Sequence, residues 1–303
     1  MSPTRYADPP AFRRALTERL RTLARERPDV QLQDLQRQFA YDRLLSRIFT
    51  TDPDHWVLKG ATALLARLEG VARHTRDIDL YRQSGDLAEA EVMLRDCAAV
   101  DLGDWFRFEL APGRVIAAQG AEALRVPVVA YVGATAFANF HVDLVTDLTM
   151  TGTPEDVPPL VPIEMDGLTR VFYRAYPTVD HIADKLCALV EMHPRASGGA
   201  EPSSRYRDLA DLVSFAHNTA VDAASLSNAL RSEERRRGLV LPDHVAIAYG
   251  GDWPAGFARV ARDAPGMLER DLASALATAS RFLDPILARR ATGRWDPLSL
   301  SWV

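Results

Sequence analysis

Apolar residues in the first fifty positions recur at helical spacing. Phe12, Leu16, Leu20 and Leu23 follow Asp8-Pro9-Pro10, a sequence suited to a helix start, and predict an amphipathic helix ending near Glu26. Leu35, Phe39, Leu44, Leu45 and Ile48 predict a second helix from about Leu32 to Phe49. The period then changes. Trp56-Val57-Leu58-Lys59 is a short apolar run that stops at Gly60 and gives way to helical Ala61–Leu68, which predicts strand, turn and helix. Thr75–Tyr81 predicts another strand and Gly85–Ala99 a helix. Trp105–Leu110, Arg114–Ala118, Leu124–Val132 and Ala138–Val145 have strand composition and are separated by Gly and Pro turns. Pro154–Pro162 is a proline-rich connection. Beyond Pro177 the pattern predicts helices near 178–192, 205–217, 222–236 and 268–290, with a Gly/Ser/Pro-rich loop over 194–204. Mixed strands followed by helices predict an α+β fold, divided into a domain over 1–160 and a mainly helical one over 161–303.

Composition narrows this picture. The 303 residues are 47% hydrophobic and 25% charged, enough for a sizeable core. No stretch reaches the roughly eighteen consecutive apolar residues of a spanning helix, and Met1–Asp8 carries no hydrophobic signal region. Cys97 and Cys187 are too few for a disulfide framework or a zinc site. A cytoplasmic protein with reduced thiols is expected, with no membrane partner. The net charge of −5 is opposite to that of a general nucleic-acid binder, so any RNA contact must use a local basic patch. Arg231, Arg235, Arg236 and Arg237 form one basic run, but Glu233 and Glu234 interrupt it, and a solvated helix end is the expectation. The lysine count is more informative. Of 36 basic residues only Lys59 and Lys185 are lysines, which marks both as places where a compact ammonium does what a planar guanidinium does not.

Chemistry concentrates around those two residues. In a strand, Asp77 and Asp79 emerge on one face, about 7 Å apart, while Ile78 and Leu80 enter the core. Magnesium favours such a site: one or two carboxylates, water, and the phosphates of a substrate. Alone, an Asp-x-Asp is more often a solvated strand face. Lys59-Gly60-Ala61-Thr62 lies at the strand-to-helix turn, where Gly60 permits close approach to phosphate and the helix N-terminus favours anions. Alternation in Phe140–Val145 places His141 and Asp143 together, and Asp143 on a neighbouring strand would supply a third carboxylate. In the C-terminal half, Val179, Ile182, Leu186 and Leu189 make a helical core stripe with Asp184 and Lys185 beside it. Asp208 and Asp211 share a helix face, and Arg207 can pair with Asp211 at i,i+4.

These four blocks, in this order, resemble the nucleotidyltransferase toxins of the AbiEii/AbiGii type, including the MenT-type toxins that modify the acceptor end of tRNA. The motifs are Lys59-Gly60-Ala61-Thr62, Thr75-Arg76-Asp77-Ile78-Asp79-Leu80, Asp184-Lys185-Leu186 and Arg205-Tyr206-Arg207-Asp208-Leu209-Ala210-Asp211-Leu212, spanning about 30–217. Ala61 replaces the family's second glycine. The resemblance implies a nucleotidyltransferase fold, a mixed sheet flanked by helices with a helical C-terminal domain. It implies Asp77 and Asp79 as magnesium ligands, to which Asp143, read from strand alternation, would add a third. Lys59, Gly60, Thr62, Thr75 and Lys185 are implied to bind the nucleotide. Asp208 is implied to orient Lys185 or to activate the acceptor, with Asp184, Arg207 and Asp211 in support. The donor is then a nucleoside triphosphate, the acceptor RNA, with the tRNA 3' end favoured, and the partner an antitoxin. Transfer to a protein or a small molecule is the alternative. A binding module without chemistry is disfavoured because every charged motif position is present.

Overall fold

The computed structural model describes residues 6–27, 30–118, 121–191, 193–194, 200–201, 205–247 and 250–303. Most of the expected loop over 194–204 lies outside these residues. Packing divides the chain into two units.

The first unit comprises residues up to 69, 74–148 and 154–175. It holds α1 (Pro9–Glu26), α2 (Leu32–Thr51), β1 (Trp56–Lys59), α3 (Gly60–Arg67), β2 (Asp77–Arg82) and α4 (Leu87–Ala99). It continues with β3 (Phe106–Leu110), β4 (Arg114–Ala118), β5 (Ala121–Val132), β6 (Thr135–Val145), β7 (Glu155–Val157) and β8 (Tyr173–Ala175). One eight-stranded sheet runs β3-β5-β6-β2-β1-β8-β7, with β4 also on β5. The β2/β6 and β1/β8 pairs are parallel and the others antiparallel, so the sheet is mixed. The apolar stripe of α1 is buried as expected, and Asp8 caps the helix by accepting from the Ala11 amide. By contrast α2 is buried on every side from Gln38 to Phe49. Its polar residues are therefore paired: Arg43 and Arg47 both donate to buried Asp104, which stays ionised because the two guanidiniums outweigh its burial. Asp42 accepts from the amides of Leu160 and Val161 and the hydroxyl of Tyr173, and burial still pushes its carboxyl up to about 6.

These bonds explain why residues 161–175 join this unit although the proline-rich stretch suggests a break at 160. Asp42 holds the returning chain, and β8 adds to the edge of β1 with Tyr173 and Ala175 fully buried. Three-residue strands such as β7 and β8 are too short to announce themselves by alternation.

The second unit comprises residues 70–73, 149–153 and 176–303. Its helices are α5 (Thr178–Val190), α6 (Tyr206–Asn218), α7 (Ala223–Arg237), α8 (Trp253–Arg262) and α9 (Leu272–Leu287). The strand pairs β9 (His193–Pro194) with β10 (Ala200–Glu201) and β11 (Trp295–Asp296) with β12 (Ser301–Trp302) are minor. The helix α8, with Trp253 and Phe257 buried, has no counterpart in the predicted pattern. Asp180 ties in the 149–153 segment by accepting from the amides of Thr151 and Gly152 and the Thr151 hydroxyl. The helix α5 is enclosed: every residue from Asp180 to Leu189 is buried. Asp184 and Lys185, expected beside the core stripe, are thus inside the unit.

Candidate active site

In the first unit β1 feeds α3 without an intervening loop, so the turn geometry falls on Gly60. Its φ is +57°, and a Cβ there would stand 1.8 Å from Asp79 Oδ2. Only glycine satisfies both the backbone and the carboxylate packed against it. Thr62, fully buried, gives its hydroxyl to the Asp77 carbonyl at 2.8 Å, fastening α3 to the start of β2. Thr75 is buried and its hydroxyl donates to Asp77 Oδ1, which fixes that carboxylate's direction. Both threonines, expected to bind the nucleotide, are bonded to the Asp77 segment.

Register then assembles a row of charges. Lys59 pairs with Asp79, Asp79 with Asp143, and Asp143 with Arg125, across β1, β2, β6 and β5. The next rung is Asp77, His141 and Pro127. Directly opposed residues share a sheet face, so Asp77, Asp79 and Asp143 stand together there while Ile78, Leu80, Val142 and Leu144 are buried on the other. Asp77 and Asp79 are half-buried. Asp143 is engaged differently from its neighbours: Arg125 Nε and an Arg125 terminal nitrogen bind its two oxygens at 2.8 and 2.6 Å. Among the described residues no group of three or more His, Cys, Asp or Glu side chains is arranged to hold a metal ion. The hard oxygens of Asp77 and Asp79 still fit magnesium, which needs one or two carboxylates when substrate phosphates complete its shell.

The second unit builds a closed cluster. Lys185 on α5 donates to Asp208 at 3.0 Å and to Asp211 at 2.5 Å, both on α6. Arg73 binds both oxygens of Asp211 at 2.9 Å, and Arg205 binds the second oxygen of Asp208 at 2.9 Å. Burial works against the Lys185 ammonium, but Asp211 and Asp208 outweigh it and raise its pKa. Burial likewise opposes the Asp208 carboxylate, and Lys185 and Arg205 override it and hold its pKa down. The expected Arg207–Asp211 pair is replaced: Arg207 is exposed, and Asp211 goes to Lys185 and Arg73. Asp184 points elsewhere, to Arg237 at 2.6 Å. Arg237 also bonds Glu233 and Glu191, and its side chain is wholly buried. The end of the basic run is therefore internal structure and not a solvated helix end.

Two parts of this arrangement escape sequence reasoning. Arg73 has no motif around it, and its partner is 138 residues away. Arg125 could be found only from the β5/β6 register, which a bulge at Ala130/Tyr131 shifts. The turn end pairs Val132 with Thr135 and Tyr131 with Ala136. Continued without the bulge, that register would set Arg125 against core-facing Val142.

The model of the nucleotidyl transferase AbiEii toxin family, described as belonging to type IV toxin–antitoxin systems, matches residues 43–295. The chain belongs to the AbiEii family. All four motif blocks lie within the match. The family makes the protein a nucleotidyltransferase, with a nucleoside triphosphate as donor and an antitoxin as the partner class. Among solved structures, the chain is similar to a crystal structure from H. pylori assigned as a nucleotidyltransferase, at 15% identity and a TM-score of 0.44, covering 86% of this chain and 98% of that one. No curated protein matches the sequence.

Proposed function

We propose that this AbiEii-family enzyme transfers a nucleotidyl group to RNA in a magnesium-dependent step, with the 3' end of tRNA as the acceptor and a block of translation as the consequence. The observation that carries the chemistry is the Asp77–Asp79 pair, presented on one strand face against the Lys59–Gly60 turn. Bound magnesium would draw charge from the triphosphate. Asp77 and Asp79 would hold it, Thr75 keeps Asp77 aimed, and Gly60 leaves room for the Asp79 carboxylate. Lys59 offsets negative charge that builds on the leaving phosphates. The acceptor hydroxyl oxygen bonds to the α-phosphorus, the α–β bridging P–O bond breaks, pyrophosphate leaves with the electron pair, and the hydroxyl proton passes to solvent.

The resemblance gives Lys185 a phosphate-facing role. Both Asp208 oxygens accept hydrogen bonds from cations and its pKa is depressed, which favours an orienting role on Lys185 over service as a base. The tRNA acceptor rests on the shared motif order. The net charge of −5 opposes it at long range, so arginines must supply the contact. Of the candidates Arg73, Arg76, Arg205 and Arg207, Arg73 and Arg205 bond to Asp211 and Asp208, and Arg76 in the first unit and Arg207 in the second are exposed. Among the described residues no helix is long and apolar enough to cross a membrane. A tRNA acceptor would be met in the cytoplasm.

The test is transfer from labelled nucleoside triphosphates to purified tRNA, with terminal hydroxyls intact or oxidised by periodate. Label should appear on intact tRNA only, depend on magnesium, and weaken steeply with salt as displaced counterions compete. Label that survives oxidation, or that appears on protein or a small molecule, overturns the tRNA acceptor.

A further inference from the structure

Arg125 follows Asp143 in the charged row, which continues to Arg114 on β4, and belongs to none of the four motifs. It meets Asp143 through two parallel bonds, the geometry in which a guanidinium recognises carboxylate or phosphate equally well. Its side chain is 30% exposed and that of Asp143 only 12%, so the arginine is the outer partner of the pair. Asp143 chiefly stabilises its charge, and Asp77 and Asp79 add to this. The row therefore gathers three carboxylates that Arg125 senses, and these are the carboxylates whose charge a magnesium ion would cancel. A divalent cation beside Asp79 would repel the guanidinium, while the triphosphate arriving with it would offer a better bidentate anion.

We propose that Arg125 is a nucleotide-responsive latch: it clamps Asp143 while the nucleotide is absent, then moves to the phosphates and frees Asp143 to join Asp77 and Asp79 around the metal. This rests on the reading of Asp77 and Asp79 as the metal-binding pair. The latch lowers metal affinity until a nucleotide is present, and thereby couples the third ligand to the substrate. Arg125 is a nucleotide-binding residue in this scheme and Asp143 a ligand held in reserve.

The experiment is manganese binding to the full chain, followed by electron paramagnetic resonance without nucleotide, together with the affinity for a non-hydrolysable nucleoside triphosphate. Arg125→Gln should tighten manganese binding about tenfold in the absence of nucleotide and weaken nucleotide binding several-fold. Adding Asp143→Asn should erase the gain in metal affinity. Arg125→Lys keeps a charge in the sheet but cannot form the paired bonds, so it should shift both affinities the same way by a smaller factor, and it replaces Arg125→Gln should that variant not fold. Unchanged or weaker metal binding in a folded Arg125 variant overturns the latch and leaves a simple brace between β5 and β6. A wild type that binds neither manganese nor nucleotide fails at Asp77 and Asp79 themselves, and both readings fall together.

Discussion

Each unit carries a carboxylate pair, and their element types set the two pairs up alike. Asp77 and Asp79 are two apart on a strand, and Asp208 and Asp211 three apart on a helix, so each pair shares a face. Their surroundings differ. The helical pair is buried and shared among three cations of its own unit, Lys185, Arg73 and Arg205. The strand pair is half-buried, with Thr75, a neutral donor, on Asp77 and a glycine packed against Asp79. A carboxylate pair saturated by the chain is structure first. A pair left on a half-open face, with Lys59 opposite Asp79 in register, is suited to a cation that arrives from solution with phosphate. Motif reading treats both as equal parts of one signature, and only the partners separate them.

The largest effect should come from the open pair. Asp77→Asn or Asp79→Asn is expected to reduce nucleotide transfer at least about a thousandfold, which corresponds to about 4 kcal/mol. For Asp77→Asn the melting temperature should stay level or rise, because one of two like charges is removed, whereas Asp79 stands opposite buried Lys59 and its loss carries no such gain. Transfer assays and calorimetry on the same preparations check both halves. Near-normal transfer, or an Asp77→Asn variant that unfolds, would show that the pair is not the metal site.

The closed pair should respond in the opposite sense. Asp211→Asn removes a charge from beneath Lys185 and Arg73 and leaves them buried with too little counter-charge. A loss of about 3–5 kcal/mol in folding stability is expected, measured by urea denaturation. A melting curve like that of the wild type would show that the cluster is not structural.

How much of this was legible in the sequence depends on the range of the interaction. The stripes of α1 and α2, the strand-turn-helix at Lys59–Gly60 and the facing of Asp77 and Asp79 depend on neighbours within a few residues, and periodicity captures them. The partners of those residues do not. Arg125 reaches Asp143 because a bulge resets the hairpin register, and Arg73 reaches Asp211 across 138 positions. Arg237 looks like a surface charge in sequence and lies wholly buried among Asp184, Glu191 and Glu233. The full burial of α5 also could not be read from one apolar stripe, since α6 and α7 both pack against it.

Lysine-to-arginine exchange probes both regions at constant charge. Lys59→Arg and Lys185→Arg should each cost at least about tenfold in rate, or about 1.4 kcal/mol of transition-state stabilisation. Both lysines are buried, so the wider guanidinium should lower stability in each variant as well as turnover, and most where Lys185 sits between two carboxylates. Wild-type rates in both variants would make the lysines incidental.

The smallest expected effect is the most diagnostic of the open site. Thr75 donates its hydroxyl to Asp77 Oδ1, and Val is close to its shape but has no donor. Thr75→Val should leave the strand packed, since the side chain is buried and β-branched in both forms. What is lost is one hydrogen bond to a carboxylate, about 1 kcal/mol, or roughly fivefold if the bond persists through the reaction. The loss should appear as a need for a higher magnesium concentration, because an unaimed Asp77 holds the ion less well. Thr75→Ser restores the donor and should restore the rate at ordinary magnesium. A Thr75→Val enzyme with an unchanged magnesium titration would mean that Asp77 needs no aiming, and the hydroxyl would then be present only to satisfy itself at a buried position.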